Sequence, residues 1–223
     1  MTAGLLCRAA ALIIGYAFGL FQTAYIVGKA KGIDIRNYGS GNSGTTNALR
    51  VMGSKAGIIV FLVDMLKGIL AILTVQLILG RIMPELVWVL KMYAFAGCVL
   101  GHNYPFYMSF RGGKGVAVAG GFAIAYHPLM IPFALAAFLV PFAVTHFVSL
   151  GSLLLYTVLF IFIAVGGAAG LFAPSTPANI AEILVIFGIF TVMVFVRHRT
   201  NIRRLLNGTE NKTYLVNKKG SGK

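Results

Sequence analysis

The sequence predicts an all-α polytopic integral membrane protein, and three observations lead there. Of its 223 residues 58% are apolar and only 11% charged, whereas a soluble domain carries about 45–50% and about 25%. The apolar residues gather in runs, several of them near the roughly 20 residues a helix needs to cross a hydrocarbon core about 30 Å thick. The charge is lopsided, 19 Lys+Arg against 5 Asp+Glu for a formal net charge of +14. Together these exclude an ordinary cytosolic globule and a disordered chain. The basic excess fits cytoplasmic anchoring under the positive-inside rule or a site for anionic ligands. Nucleic acid is not an expected partner of so apolar a chain. Cys7 and Cys98 lie in apolar runs without metal-ligand spacing and read as buried membrane thiols.

Taken in chain order, the first run, residues 5–27, is too long for a signal-peptide core and lacks an evident cleavage site, so it is a span. The runs 56–79, 129–147 and 153–172 are of spanning length, and 86–100 and 180–196 are shorter candidates. Val116–Tyr126 is half-length and would ordinarily be read as re-entrant. The basic residues decide how many cross. Stretch 28–55 holds five of the nineteen, 101–115 holds two (Arg111, Lys114), and the tail from Arg197 holds eight. All three should lie on the cytoplasmic side. An even number of crossings is then needed between 115 and 197, which the four segments there supply. The expectation is seven spans, N-terminus out, C-terminus in, with one transmembrane domain over 1–210 and a basic cytoplasmic tail over 211–223. The connectors 80–85, 127–128 and 173–179 leave no room outside for a receptor domain. No inverted repeat of the kind common in transporters stands out. Function is therefore expected on the cytoplasmic face.

Three polar stretches carry the chemistry there. Tyr38-Gly39-Ser40-Gly41-Asn42-Ser43-Gly44-Thr45-Thr46-Asn47-Ala48-Leu49-Arg50 is dense in donors. Its glycines permit positive φ and let N–H groups converge on an anion. A helix starting near Thr46 would aim its N-terminus at that anion, with Arg50 one turn on as a clamp. A flexible linker with a helix cap is the plainer alternative, but it needs no arginine at its end and no asparagines at fixed points. Gly101-His102-Asn103-Tyr104-Pro105-Phe106, then Arg111-Gly112-Gly113-Lys114-Gly115, places glycines and Lys114 at a helix N-terminus by the membrane edge. It is not a Walker A loop, and a snorkelling basic pair would look similar. In Arg197-His198-Arg199-Thr200-Asn201-Ile202-Arg203-Arg204-Leu205, helical spacing puts His198, Asn201 and Leu205 on one face, and Gly208 ends the helix. A basic stop after the last span is the alternative. Within the bilayer, Asp64 and Lys67 stand at i, i+3 and should pair facing the bundle interior, more as structure than as catalyst. His127 and His146 have no evident partner.

The sequence holds no GxSxG elbow, no His-x4-Asp acyltransferase pattern, and no HExxH or Cys/His cluster for a metal. Carboxylates near the loops are too few for a tightly held Mg²⁺.

The three stretches together, in order along most of the chain, resemble the signature motifs of the acyl-phosphate-dependent membrane glycerol-3-phosphate acyltransferases of bacteria, the PlsY family. They are Gly39-Ser40-Gly41-Asn42 through Thr46-Asn47 and Arg50, Gly101-His102-Asn103-Tyr104-Pro105 with Gly112-Gly113-Lys114-Gly115, and His198 with Asn201-Ile202 and Gly208-Thr209-Glu210. One departure is Thr45, where the family usually has alanine. The resemblance implies acyl transfer from acyl phosphate to the 1-hydroxyl of sn-glycerol 3-phosphate, giving lysophosphatidic acid and phosphate, without cofactor or metal, in the bacterial inner membrane. Membrane lipids surround the chain, and the enzyme that forms acyl phosphate is a candidate neighbour. Ser40, Arg50, Lys114, His198 and Asn201 are the candidate catalytic residues. Gly41, Asn42, Thr46, Asn47, His102, Gly112, Gly113, Gly115, Arg203, Arg204 and Glu210 are candidates for substrate binding. Two other readings stay open. An organic-phosphate transporter would need a polar path through the spans, for which only Asp64, Lys67, Gln76 and Lys91 are at hand. A lipid-binding scaffold would leave the asparagines and glycine spacing unexplained.

Overall fold

All seven apolar segments are helical, and the polar stretches fold over one end of the bundle they form. The structure, a computed structural model, describes residues 2–214. Its helices are α1 (Thr2–Gly19), α2 (Thr23–Ala30), α3 (Thr45–Met52), α4 (Ser54–Ile82), α5 (Val87–Asn103), α6 (Val116–Tyr126), α7 (Met130–Thr145), α8 (Val148–Ala168), α9 (Pro177–Arg197) and α10 (Arg199–Leu206). Counting α1 with α2, and α5 with its flanking turns, five of these segments are long and apolar enough to cross a membrane; α6 and α7 are shorter apolar helices. Lysines 218, 219 and 223, expected in a solvated tail, lie outside the described residues.

Four features differ from the sequence reading. The first run is broken at residues 20–22 rather than continuous. The break is compensated: the buried Gln22 amide donates to Gly19 O, Gly101 O and His102 O at 3.1, 3.1 and 3.0 Å, so the freed carbonyls keep partners in an apolar setting. Helix α8 starts five residues before the predicted 153, because its early hydroxyls do not interrupt it. Ser152 and Thr157 donate back to Val148 O and Leu153 O, at 2.7 and 3.0 Å. Its C-terminal boundary falls earlier, at Ala168, and Gly170 at φ +75 turns the chain. Finally α9 starts at Pro177, where the Thr176 hydroxyl accepts from Asn179 N at 3.2 Å.

The short α6 is explained by where it begins. Gly115 sits beside Val99 and Asn103 of α5, and Tyr126 at the other end donates to Trp88 O at 3.2 Å. At 1.5 Å per residue the helix is about 16 Å long against about 25 Å for α5, so it runs alongside part of α5, starting about one turn inside its end. The loop before it dips into the mouth of the bundle.

Small residues bring the helices this close. Gly15 and Gly19 of α1 face Gly97 and Gly101 of α5, where any Cβ would collide with the opposite backbone, the usual device for helix contact in lipid. Gly68 and Gly121 do the same between α4 and α6. Gly97→Val is therefore expected to lower stability by about 1–3 kcal/mol or more, read as an earlier thermal unfolding in detergent. A lipid-side change such as Ile58→Val should leave unfolding where it is, since Ile58 is exposed on the bundle surface. At the end away from the polar loops, Arg8 of α1 grips Glu182 of α9 through two 2.7 Å contacts, and Tyr93 donates to the same carboxylate at 2.9 Å. Nearby, Lys91 Nζ caps the end of α6 by donating to Tyr126 O at 2.6 Å. A band of large apolar side chains, including Leu5, Leu62, Leu77, Leu139 and Val192, is left exposed around the bundle, as a lipid-facing wall requires.

Candidate active site

The first polar stretch is tied into a fixed loop by its own side chains. Asn47 Nδ2 donates to Ile35 O and Tyr38 O at 3.3 and 3.0 Å, and its Oδ1 accepts from Ser40 N at 2.9 Å. Its amide is thus used within the loop, so the structure makes Asn47 the loop's holder rather than a free ligand group. Gly39 and Gly41 take φ of +59 and +69, and a Cβ on Gly39 would strike Asn47 Oδ1. These positive φ values turn the chain on either side of Ser40. Below the loop the Asp34 carboxylate accepts from the Arg36 guanidinium at 2.7 and 3.0 Å, which lowers its pKa to about 2. Asn42 Nδ2 reaches Gly112 O at 3.4 Å and joins the first loop to the second. Helix α3 starts at Thr45, one residue from the expected start, so Thr45 and Thr46 stand at the cavity wall with Arg50 farther along the helix.

The second loop is held by hydrogen bonds that its glycines make possible. Gly112 N donates to Asn103 O and Gly113 N to His102 O, both at 3.0 Å, and a Cβ at either glycine would strike His102. Their carbonyls accept from Arg197 Nη2 at 3.2 and 2.7 Å. The expectation that these two amides bind phosphate directly is corrected: both already have backbone acceptors. What the loop leaves at the cavity wall is Lys114, Gly115, and the first turn of α6 at Val116 and Ala117, whose N–H groups no helix can satisfy internally. Gly115 adopts φ +80 at the helix start, and Tyr156 donates to its carbonyl at 3.2 Å.

The third stretch closes the site. His198 caps α9, and its Nδ1 lies 2.8 Å from Val194 O. A carbonyl only accepts, so Nδ1 carries the proton and Nε2 is left as an acceptor. Burial, with Lys114 nearby, lowers the His198 pKa to about 4. Asn201 joins two loops: its Oδ1 accepts from Lys114 Nζ at 2.6 Å, and its Nδ2 donates to Glu210 Oε1 at 2.8 Å. Burial above all, then Arg197, lowers the Lys114 pKa to about 8. Arg204 Nε meets Glu210 Oε2 at 2.9 Å, and Ser149 donates to Glu210 Oε1 at 3.1 Å. The Glu210 carboxylate is therefore engaged on both oxygens, and it anchors the loop rather than binding an anion. Arg203 points away, exposed on the outer face of α10. Gly208 at φ +69 reverses the chain into a strap. Thr213 N donates to His146 O at 2.9 Å, and Thr213 Oγ1 accepts from Arg50 Nη2 at 2.9 Å.

These pieces enclose one cavity of about 440 Å³. Ser40, Asn42, Thr46, Asn47, Arg50, His102, Lys114, Gly115, His198, Asn201, Arg204 and Glu210 all line it, whereas Gly41, Gly112, Gly113 and Arg203 do not. Sequence reasoning did not single out Phe61, Phe138 and Val148, which with Val116 form an apolar wall beside the polar groups. It also missed Ser149, Thr213 and the Arg197 clamp. Ser149 lies before the expected start of its span at 153, so only the earlier start of α8 at Val148 places it on a helix facing the site, and Thr213 had no signal. Cations, hydroxyls and helix-start amides beside an apolar wall suit a ligand with an anionic head and a hydrocarbon chain.

A family model described as glycerol-3-phosphate acyltransferase matches residues 9–208. A glycerol-3-phosphate acyltransferase of Bacillus subtilis (strain 168) is 42% identical over 204 residues, covering 90% of this chain and 95% of its own. One of Clostridioides difficile (strain 630) is 41% identical over 206 residues, covering 90% and 92%. Among solved structures, PlsY (YgiH), an integral membrane glycerol 3-phosphate acyltransferase, is similar in its glycerol 3-phosphate form. The TM-score is 0.78 at 34% identity, over 93% of this chain and 96% of that one. Its lysophosphatidic acid form gives 0.75 at 33%, over the same shares.

Proposed function

The chain belongs to the glycerol-3-phosphate acyltransferase family, the PlsY family, and from that premise we propose that it transfers an acyl chain from acyl phosphate to the 1-hydroxyl of sn-glycerol 3-phosphate. The products are 1-acyl-sn-glycerol 3-phosphate and inorganic phosphate. One observation carries the reading: Ser40, Arg50, Lys114 and Arg204 converge on a single cavity that also has an apolar wall of Phe61, Val116, Phe138 and Val148. The related PlsY is described in a glycerol 3-phosphate form and a lysophosphatidic acid form, which supports the same acceptor and product here.

In this reading Ser40, Arg50 and Lys114 hold the donor phosphate, and the apolar wall holds the start of the acyl chain. Arg204 holds the glycerol phosphate; Arg203, on the outer face, takes no part. Asn201 sets Lys114 in place, and His198 Nε2 accepts from the glycerol hydroxyl to orient it. The hydroxyl oxygen attacks the carbonyl carbon, the carbon–oxygen bond to phosphate breaks, and the hydroxyl proton passes to an oxygen of the departing phosphate. The mixed anhydride is already activated, so positioning and charge stabilisation carry the rate. A His198 pKa near 4 makes it a poor proton acceptor at neutral pH and suits the orienting role.

We further place the site on the cytoplasmic face of a bacterial inner membrane. Seven crossings and an N-terminus outside put Lys29, Lys31, Lys55 and Arg111 on that side, as the positive-inside rule requires. The transporter alternative loses ground because the polar groups inside the bundle are engaged with one another: Asp64 with Lys67, and Lys91 with Tyr126 O.

The Lys114 pKa has a kinetic consequence. Its charged form is what holds a phosphate, and its pKa of about 8 lies below the ordinary lysine value. The kcat/KM should therefore fall as pH rises through about 8, instead of holding until near 10.4. No limb should appear near 6.5 from His198. The deciding experiment measures phosphate release by purified protein with palmitoyl phosphate and glycerol 3-phosphate, and again with palmitoyl-CoA as donor. Turnover with acyl phosphate alone is expected. Turnover only with the CoA ester overturns the donor, and none with either turns attention to glycerol 3-phosphate uptake by liposomes.

A further inference from the structure

Beneath the cavity lies a buried polar network that the reaction above leaves unused. Asp64 and Lys67 pair at 2.8 Å on one face of α4, with side chains only 1% and 4% exposed. Thr23 donates to the same Asp64 oxygen at 2.9 Å. Lys67 Nζ donates to Phe21 O at 2.6 Å, in the break between α1 and α2, and lies 2.8 Å from His102 Nδ1. An ammonium has three protons and no lone pair. Asp64 Oδ1 and Phe21 O are two close acceptors and Gly19 O at 3.5 Å is a longer one; at 2.8 Å from a group with no lone pair, Nδ1 must itself accept. Nδ1 is then unprotonated and the imidazole proton sits on Nε2. Among the described residues Nε2 has no protein acceptor, and His102 lines the cavity next to Gly113 and Lys114.

We propose that Lys67, itself held by Asp64, is a positioning residue that locks His102 in the Nε2–H tautomer, so that this N–H donates to a phosphate oxygen of the substrate. The inference rests on the reaction proposed above, since it takes the cavity's ligand to be a phosphate. Released from Lys67, the ring could turn its Nε2 lone pair toward an anion, exchanging attraction for repulsion. Lys67 thus acts through His102 without touching substrate. The phosphate could be that of either substrate, and the two KM values tell which.

Two substitutions separate this role from simple packing. Asparagine places its amide where Nδ1 stands, so His102→Asn can still accept from Lys67 but presents no donor to the cavity. Glutamine places its amide where Nε2 stands, so His102→Gln keeps the donor and loses the Lys67 contact. If His102 serves only to satisfy Lys67, the asparagine variant is the milder one. The proposal requires the reverse ranking: His102→Asn with KM for one substrate raised about tenfold or more, the effect of losing a hydrogen bond to a charged group, and His102→Gln with a smaller rise, since it keeps the donor but not the Lys67 contact that aims it. The double variant Asp64→Asn/Lys67→Met removes both charges together, so no lone buried charge is left to unfold the chain. It should raise the same KM as His102→Asn does, with a smaller change in kcat. The tautomer is read directly, without substrate, from ¹⁵N-histidine NMR of the full chain in detergent, with the His102 signal identified by its loss in His102→Gln. A proton bonded to Nε2 and none to Nδ1 is expected in wild type, and both tautomers in the double variant. A proton on Nδ1 in wild type, or an asparagine variant that outperforms glutamine, overturns the proposal. Absence of wild-type turnover would instead overturn the reaction and leave the tautomer result standing.

Discussion

Lys114→Met is expected to lower kcat/KM by about 10²–10³, the range for removing one preorganised charge-stabilising group. The side chain is half-buried, it lines the cavity, and Asn201 Oδ1 aims its ammonium from 2.6 Å. Methionine keeps most of the length and removes the charge. The fold should survive, because Glu210 keeps its contacts with Arg204, Asn201 and Ser149. Steady-state phosphate release measures the effect, and thermal unfolding in detergent checks the fold. Unchanged unfolding with near-normal turnover would remove Lys114 from the phosphate site. Asn201→Ala, which leaves the ammonium present but unaimed, should produce a smaller loss.

Arg50→Lys should cost about 10–100-fold in kcat/KM, although the charge is retained. One terminal nitrogen of Arg50 already holds the strap, donating to Thr213 Oγ1 at 2.9 Å and to Asn211 O at 3.3 Å. The rest of the planar guanidinium remains for an anion in the cavity it lines. A lysine is a single point of charge and cannot serve strap and phosphate with a fixed fork. Thr213→Val separates the two duties, since it removes the strap contact and leaves the arginine. If Thr213→Val lost as much activity as Arg50→Lys, the strap rather than phosphate binding would explain the arginine.

Much of the arrangement is legible in the sequence for a simple reason. Whether a segment partitions into hydrocarbon depends on its own composition, so run length marks the membrane helices without knowledge of their neighbours. The Val116 segment was found with its bounds unchanged, and α3 within one residue of its expected start. Loop chemistry is also local. Glycines at positive φ and clustered cations mark an anion site wherever they occur, and Ser40, Arg50, Lys114, His198 and Asn201 do come to one cavity.

Which of those polar groups remain for a ligand is another matter, and there the sequence by itself was silent. Asn47, Gly112, Gly113 and Glu210 look like ligand groups in their motifs, yet each is engaged by a protein partner. The depth at which α6 begins follows from its contact with α5, and the first span is broken because Gln22 and Lys67 are there to satisfy its carbonyls. The tautomer of His102 depends on an ammonium 35 positions earlier in the chain. Composition and hydrophobic run length are properties of single segments, so the sequence determined the membrane class, the helices and the loops that carry chemistry. A hydrogen bond is a property of two groups brought together from distant positions. Only the tertiary structure decided which donors hold the protein together and which are left to hold a substrate.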